Sequence, residues 1–91
     1  MPLRKWSPRQ IEVLQAVRDG KVWERYPEGK PVYSDMDRGS GKTPRHSTVT
    51  RTARLLESYS LIKLSGTRAK FHEACQWEIT DSGLEELSRH Q

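Results

Sequence analysis

Apolar positions along this chain recur with two different periods, and the switches between them mark its elements. Ile11, Leu14 and Val17, joined by Val13, form a stripe at helical spacing. Just before them stands Ser7, whose hydroxyl can accept from the amide of Gln10 while Gln10 reaches back, a capping box with Pro8 at the favoured first position. Trp6 and Ile11 occupy the positions of a hydrophobic staple and Gly20 supplies a left-handed stop, so a helix is predicted over roughly residues 8–19. From Lys21 to Ser34, the β-prone Val22, Trp23, Tyr26, Val32 and Tyr33 surround the tetrad Tyr26-Pro27-Glu28-Gly29, which has proline at its second position. This predicts short extended segments about a turn. Asp35 to Pro44 contains Gly39, Gly41 and Pro44 and reads as a loop with room for one helical turn.

Val49, Ala53 and Leu56, with Thr52 beside them, restore the helical period and predict a second helix over roughly residues 47–58. After Tyr59 and Ser60 the period falls to two. Leu61-Ile62-Lys63-Leu64 and Gln76-Trp77-Glu78-Ile79-Thr80 read as paired strands, with Ile62, Leu64, Trp77 and Ile79 facing inward. The hairpin loop between them holds Gly66, Thr67, Arg68, Ala69, Lys70, Phe71 and His72 and is acidic only at Glu73. Asp81 can then cap a last short helix whose apolar residues are Leu84 and Leu87.

With 91 residues and 33% hydrophobic content, one small domain spanning residues 1–91 is expected, in which Trp6, Trp23 and Trp77 serve as core rather than as stacking platforms for bases. The single cysteine, Cys75, cannot form an internal disulfide, which suits a reducing compartment. No apolar run long enough for a signal peptide or a membrane span is present, so a cytoplasmic protein without a membrane partner is expected.

Charge changes this picture of a bland small domain. Between Arg38 and His72, the basic side chains Arg38, Lys42, Arg45, Arg51, Arg54, Lys63, Arg68 and Lys70 meet a single acid, Glu57, for a net +7; the rest of the chain is −3. Stepping about 100° per residue from Val49 brings Ser47, Arg51, Arg54 and Ser58 together on the face opposite the apolar stripe. A helix that only faces water usually mixes both signs of charge, so an outward face with two arginines, two hydroxyls and no acid suits an anion. So concentrated a basic segment can displace condensed counterions from a phosphate backbone, which points to nucleic acid.

Two stretches carry a family resemblance. Val49-Thr-Arg-Thr-Ala-Arg-Leu-Leu-Glu-Ser-Tyr-Ser-Leu-Ile62 resembles the recognition helix and "leu-glu-x-x-gly-leu-ile" strand entry of MarR-like and PadR-like regulators. Ile79-Thr-Asp-Ser-Gly-Leu-Glu-Glu-Leu87 is similar to their "leu-thr-x-x-gly" step from the last wing strand to the closing helix. The resemblance implies an α+β winged helix-turn-helix fold, with a three-helix core, a small antiparallel sheet, a recognition helix over about 47–58 and a basic wing over about 65–75. It further implies that Ser47, Thr48, Arg51 and Arg54 face the major groove of double-stranded DNA and that Arg68, Lys70 and His72 touch the adjacent backbone or minor groove. Lys42, Arg45 and His46, with the amides at the helix start, would hold phosphate. Two positions depart from the pattern: Ser60 replaces the usual glycine, and the loop from Asp35 to Pro44 stands where a positioning helix is expected. The long terminal helices of the MarR dimer have no counterpart, so that mode of dimerisation is not implied.

Other constellations are weaker. Gly39-Ser40-Gly41-Lys42-Thr43 imitates the end of a phosphate-binding P-loop, but Met36 stands at the first required glycine and Pro44 follows where a helix should begin. His72 and Cys75 have ligand-like spacing without a second pair, and Asp35 and Asp37 suit loop solvation better than acid–base work. No enzyme, metal or cofactor is therefore expected. The expected role is duplex DNA binding as a small regulator of transcription, of the compact kind found in phages and mobile elements. The alternatives are an accessory factor in recombination and a winged-helix module that docks on an acidic protein. RNA is disfavoured because the A-form major groove does not admit a helix. A homodimer would suit a palindromic site, with the aromatic segment from Trp23 to Tyr33 as the surface suspected.

Overall fold

Ser7 starts the first helix as its capping box predicts: its hydroxyl accepts from the Gln10 amide at 3.2 Å while the Ser7 amide donates to Gln10 Oε1 at 2.8 Å. This helix, α1 (Pro8–Arg18), is followed by Gly20 at φ +74°. In the computed structural model, which describes residues 5–38, 46–68 and 74–90, the order continues as β1 (Val22–Arg25), β2 (Tyr33–Asp37), β3 (His46–Thr48), α2 (Thr50–Ser58), β4 (Ile62–Arg68), β5 (Ala74–Ile79) and α3 (Asp81–Arg89). The result is an α+β fold, three helices against a five-stranded sheet of order β3-β2-β1-β5-β4 with every pair antiparallel.

Register explains how the layers form. Val22 pairs with Met36, Glu24 with Ser34 and with Cys75, and Leu64 with Trp77, so alternation sends these side chains to the same face of the sheet as Ile62 and Ile79. α1 packs there against β1, β2 and β5, α2 against β2 and β4, and α3 against β5. Val13, Leu14 and Val17 of α1, Ala53 and Leu56 of α2, and Leu87 of α3 close over Val22, Met36, Ile62 and Trp77. Trp77 is fully buried, while Trp6 and Trp23 are half-buried.

Several local expectations are corrected. Asp35, Met36 and Asp37 belong to β2 rather than to a loop, because pairing with Val22 brings Met36 into the core. The second helix begins at Thr50, not near Ser47; residues 46–48 instead form β3, held by the ladder Asp37↔His46, Met36↔Ser47 and Asp35↔Thr48. The β1–β2 turn lies one residue later than expected, closed by the Lys30 amide on the Pro27 carbonyl at 3.3 Å, with Gly29 at φ +72°. Thr80, rather than Asp81, caps α3 by accepting from the Gly83 amide at 3.0 Å, and Leu84 is exposed. Trp6 packs on the core, donates Nε1 to Glu86 at 2.9 Å and meets the Tyr59 ring edge-on.

The two joints flanking the β4–β5 hairpin are tied together. The Thr80 amide donates to the Leu61 carbonyl at 3.0 Å, and its hydroxyl donates to the Ser60 carbonyl at 2.7 Å. Ser60 adopts φ +60°, a left-handed conformation that glycine takes without strain and a residue with a Cβ does not. Gly83 is needed for a different reason: a Cβ there would stand 2.2 Å from the Leu61 carbonyl oxygen and 2.6 Å from Ile79 Cγ1. Since that oxygen is backbone, α3 must shift to accept a side chain. Gly83→Ala is expected to cost about 1–3 kcal/mol, and Ser60→Gly to add about 0.5–1 kcal/mol by relieving left-handed strain net of the added chain entropy. Both changes would be read from urea unfolding midpoints.

Candidate nucleic-acid interface

The arginines of α2 have different fates. Ala53 and Leu56 point into the core, which leaves Arg51, Arg54, Glu57 and Ser58 toward solvent. Arg51, in the first turn, is exposed, and its guanidinium has no partner among the described residues. Arg54 bends back. It forms an ion pair with Glu24 of β1, lies 6.0 Å from the Trp77 ring centroid and stands 3.4 Å from Glu57. The expected acid-free outward face thus meets two carboxylates at Arg54, one from its own helix and one from a neighbouring strand.

Glu24 makes that pairing necessary. Its residue is 2% exposed, and a buried carboxylate without compensation is costly. Besides Arg54, the Tyr26 hydroxyl donates to its Oε2 at 2.5 Å. Desolvation by burial, and then this hydrogen bond to a carboxylate, hold the Tyr26 phenol well above the usual range for tyrosine. Beside this cluster, the Trp77 Nε1 donates to the buried Ser34 hydroxyl at 3.1 Å. Ser34 also fixes the start of α2: its amide donates to Thr50 Oγ1 at 2.9 Å, and its carbonyl accepts from the Val49 amide at 2.8 Å. Helix α2 is therefore held at its first turn by Ser34 and near its middle by Glu24.

β3 carries the other described candidates. His46 is exposed, with Nδ1 3.5 Å from the Asp35 carboxylate, which Arg25 also approaches at 3.3 Å; Asp35 is thereby part of a charge cluster rather than a solvated loop acid. Thr48 is exposed at the strand end. Ser47 turns to the opposite side, where its hydroxyl accepts from Arg9 Nη2 at 2.9 Å. Arg9 also pairs with Glu12 at 2.7 Å, and the other Glu12 oxygen is 3.2 Å from Arg38. Arg9 is the contribution that sequence reasoning missed. Its pairing with Glu12 at i,i+3 was legible, but nothing local reveals that α1 begins beside β3.

Arg68 ends β4, opposite Cys75 of β5. Lys42, Arg45, Lys70 and His72, and the P-loop-like stretch from Gly39 to Thr43, lie outside the described residues. Among the described residues, no group of three or more His, Cys, Asp or Glu side chains could hold a metal ion, and no helix is long and apolar enough to cross a membrane.

Removing the Arg54 guanidinium leaves the Glu24 charge buried. Arg54→Ala is expected to destabilise the fold by about 2–4 kcal/mol, below the upper end for buried pairs because the arginine side chain is 45% exposed. Adding Glu24→Gln should recover part of that loss, and a double-mutant cycle from thermal unfolding would measure the coupling. Comparison of the chain with family models, curated proteins and solved structures gives no match.

Proposed function

We propose that this chain binds double-stranded DNA as a small winged helix-turn-helix regulator, presenting α2 to the major groove and the β4–β5 hairpin to the adjacent backbone. The observation that carries this reading is Arg51, an exposed guanidinium on the first turn of a helix whose other arginine is already engaged. An α-helix with its side chains is roughly 10–12 Å across, which a major groove about 12 Å wide admits. A planar fork on such a helix can meet guanine O6 and N7 together, which lysine cannot do. The adjacency of β1, β5 and β4 supports the winged-helix comparison, since it sets a three-stranded sheet behind the hairpin.

Two roles within that reading differ from the family pattern. Where a positioning helix is expected, the strand β2 holds the start of α2 through Ser34. Arg54 is a positioning residue, so base reading falls to Arg51, with Thr48 and His46 beside it in sequence at the edge of the sheet. Phosphate contacts fall to Lys42, Arg45, Arg68 and Lys70, whose charges lie in the basic segment. A cytoplasmic location and a transcriptional role follow from this reading.

Fluorescence anisotropy against a random pool of labelled duplexes, followed by selection of the preferred site, tests it. Arg51→Ala should weaken binding to the selected duplex by about fivefold or more, in line with 1–3 kcal/mol for a bidentate base contact, with a smaller loss on the pool and an unchanged circular dichroism spectrum. Failure of the unmodified protein to bind duplex saturably near physiological salt would overturn the proposal and leave docking on an acidic protein as the better account.

A further inference from the structure

Two arginines from distant parts of the chain converge on one carboxylate. Arg9 Nη1 lies 2.7 Å from Glu12 Oε1, and Arg38 Nη2 lies 3.2 Å from Glu12 Oε2. The group keeps one unit of positive charge. Its three side chains are 38–48% exposed, so solvent screens the ion pairs and each contributes little to stability. One guanidinium is nonetheless held in place, because Arg9 Nη2 also donates to Ser47 on β3, two residues before the Val49 cap of α2. A preorganised arginine fork, a second arginine opposite it and a weak internal counter-ion between them form a site that an oxyanion can enter by displacing the carboxylate.

We infer that Arg9 and Arg38 form a clamp for one phosphodiester of the DNA backbone, and that Glu12 occupies this clamp in the free protein as a built-in competitor. The inference rests on the DNA reading above and adds a phosphate contact outside α2 and the hairpin. The location suits it: a phosphate held where α1 meets β3 fixes the register of α2 on the duplex without reading sequence. The groove that continues from Glu12 and Arg38 toward the end of α1 is lined by Asp19 and Asp37 together with Lys21. Its two carboxylates outnumber that one ammonium, so the Arg9 end is the more favourable for a phosphate.

Three variants in the same anisotropy assay, titrated with salt on selected and random duplexes, separate this clamp from the α2 contact. Glu12→Gln should tighten binding about fivefold, the size of a relieved exposed ion pair, and equally for both duplexes. A gain of affinity cannot come from misfolding. Arg9→Gln combined with Arg38→Gln should weaken both duplexes alike and reduce the slope of log affinity against log salt by about 0.9, one phosphate contact, while sequence preference stays as in the unmodified protein. Arg51→Ala should instead lose preference. If Glu12→Gln binds like the unmodified protein, or the double variant keeps the full salt slope, the clamp is refuted while the α2 reading stands on Arg51. If the unmodified protein binds no duplex, both fall.

Discussion

The Glu24 carboxylate, buried in the middle of the sheet, constrains what lies above it. An ionised group in that position requires a cation and a hydrogen-bond donor, and the sequence provides the first from Arg54 on α2 and the second from Tyr26 just past β1. Arg54 also lies over Trp77, so one side chain joins a helix, a strand and the largest residue of the core. The arrangement fixes how α2 is rotated about its own axis. Hydrophobic contacts from Ala53 and Leu56 alone would tolerate some rotation, since apolar attraction is not directional; an ion pair aimed at a single buried carboxylate is far less tolerant. Arg51, one turn earlier, lies on the solvent side that the burial of Ala53 and Leu56 leaves open.

Ser34 has the complementary role at the start of the same helix. Its hydroxyl accepts from Trp77, its amide donates to Thr50 and its carbonyl accepts from Val49, so a fully buried residue has all its polar groups engaged. At the other end of α2, Ser60 and Leu61 are bound to Thr80, and Gly83 allows α3 to lie directly on the Leu61 carbonyl. The helix is thus fastened at its beginning, middle and end to three different strands or joints. Fastening of this kind holds the exposed side chains of α2 in fixed positions relative to the sheet.

Much of this was legible in the sequence where the signal is local. The capping box at Ser7, the stop at Gly20 and the period-two strands around Ile62 and Trp77 each depend on residues within a few positions of one another, and each is present, although β4 continues past Leu64 to Arg68, taking Gly66 and Thr67 out of the expected loop, and β5 starts at Ala74 rather than Gln76. β3 was not legible because three residues cannot display a period; it exists through its ladder with β2. Asp35-Met36-Asp37 looked like loop for the same reason, its strand state following from pairing with β1. Arg54 was misread for a subtler cause. A helical projection gives the direction of Cβ, but a long arginine can lay its stem along the protein and place its charge elsewhere. The sign of a neighbouring strand's buried residue is invisible to any projection of the helix itself.

That distinction bears on how charge should be counted when a partner is inferred. The basic segment's net +7 is a property of composition, while the field a phosphate meets depends on which guanidiniums remain available. Arg54 is neutralised by Glu24, an acid outside the segment, and Arg38 is drawn to Glu12, also outside it. These pairings take part of the charge out of circulation for two different physical reasons. Glu24 is buried, so its arginine cannot leave without stranding a charge in the core; the Glu12 side chain is 43% exposed, so solvent screens its ion pairs and each contributes little to stability. The same residue type in the same basic stretch is therefore structural in one place and only weakly held in another, and burial of the paired acid decides which.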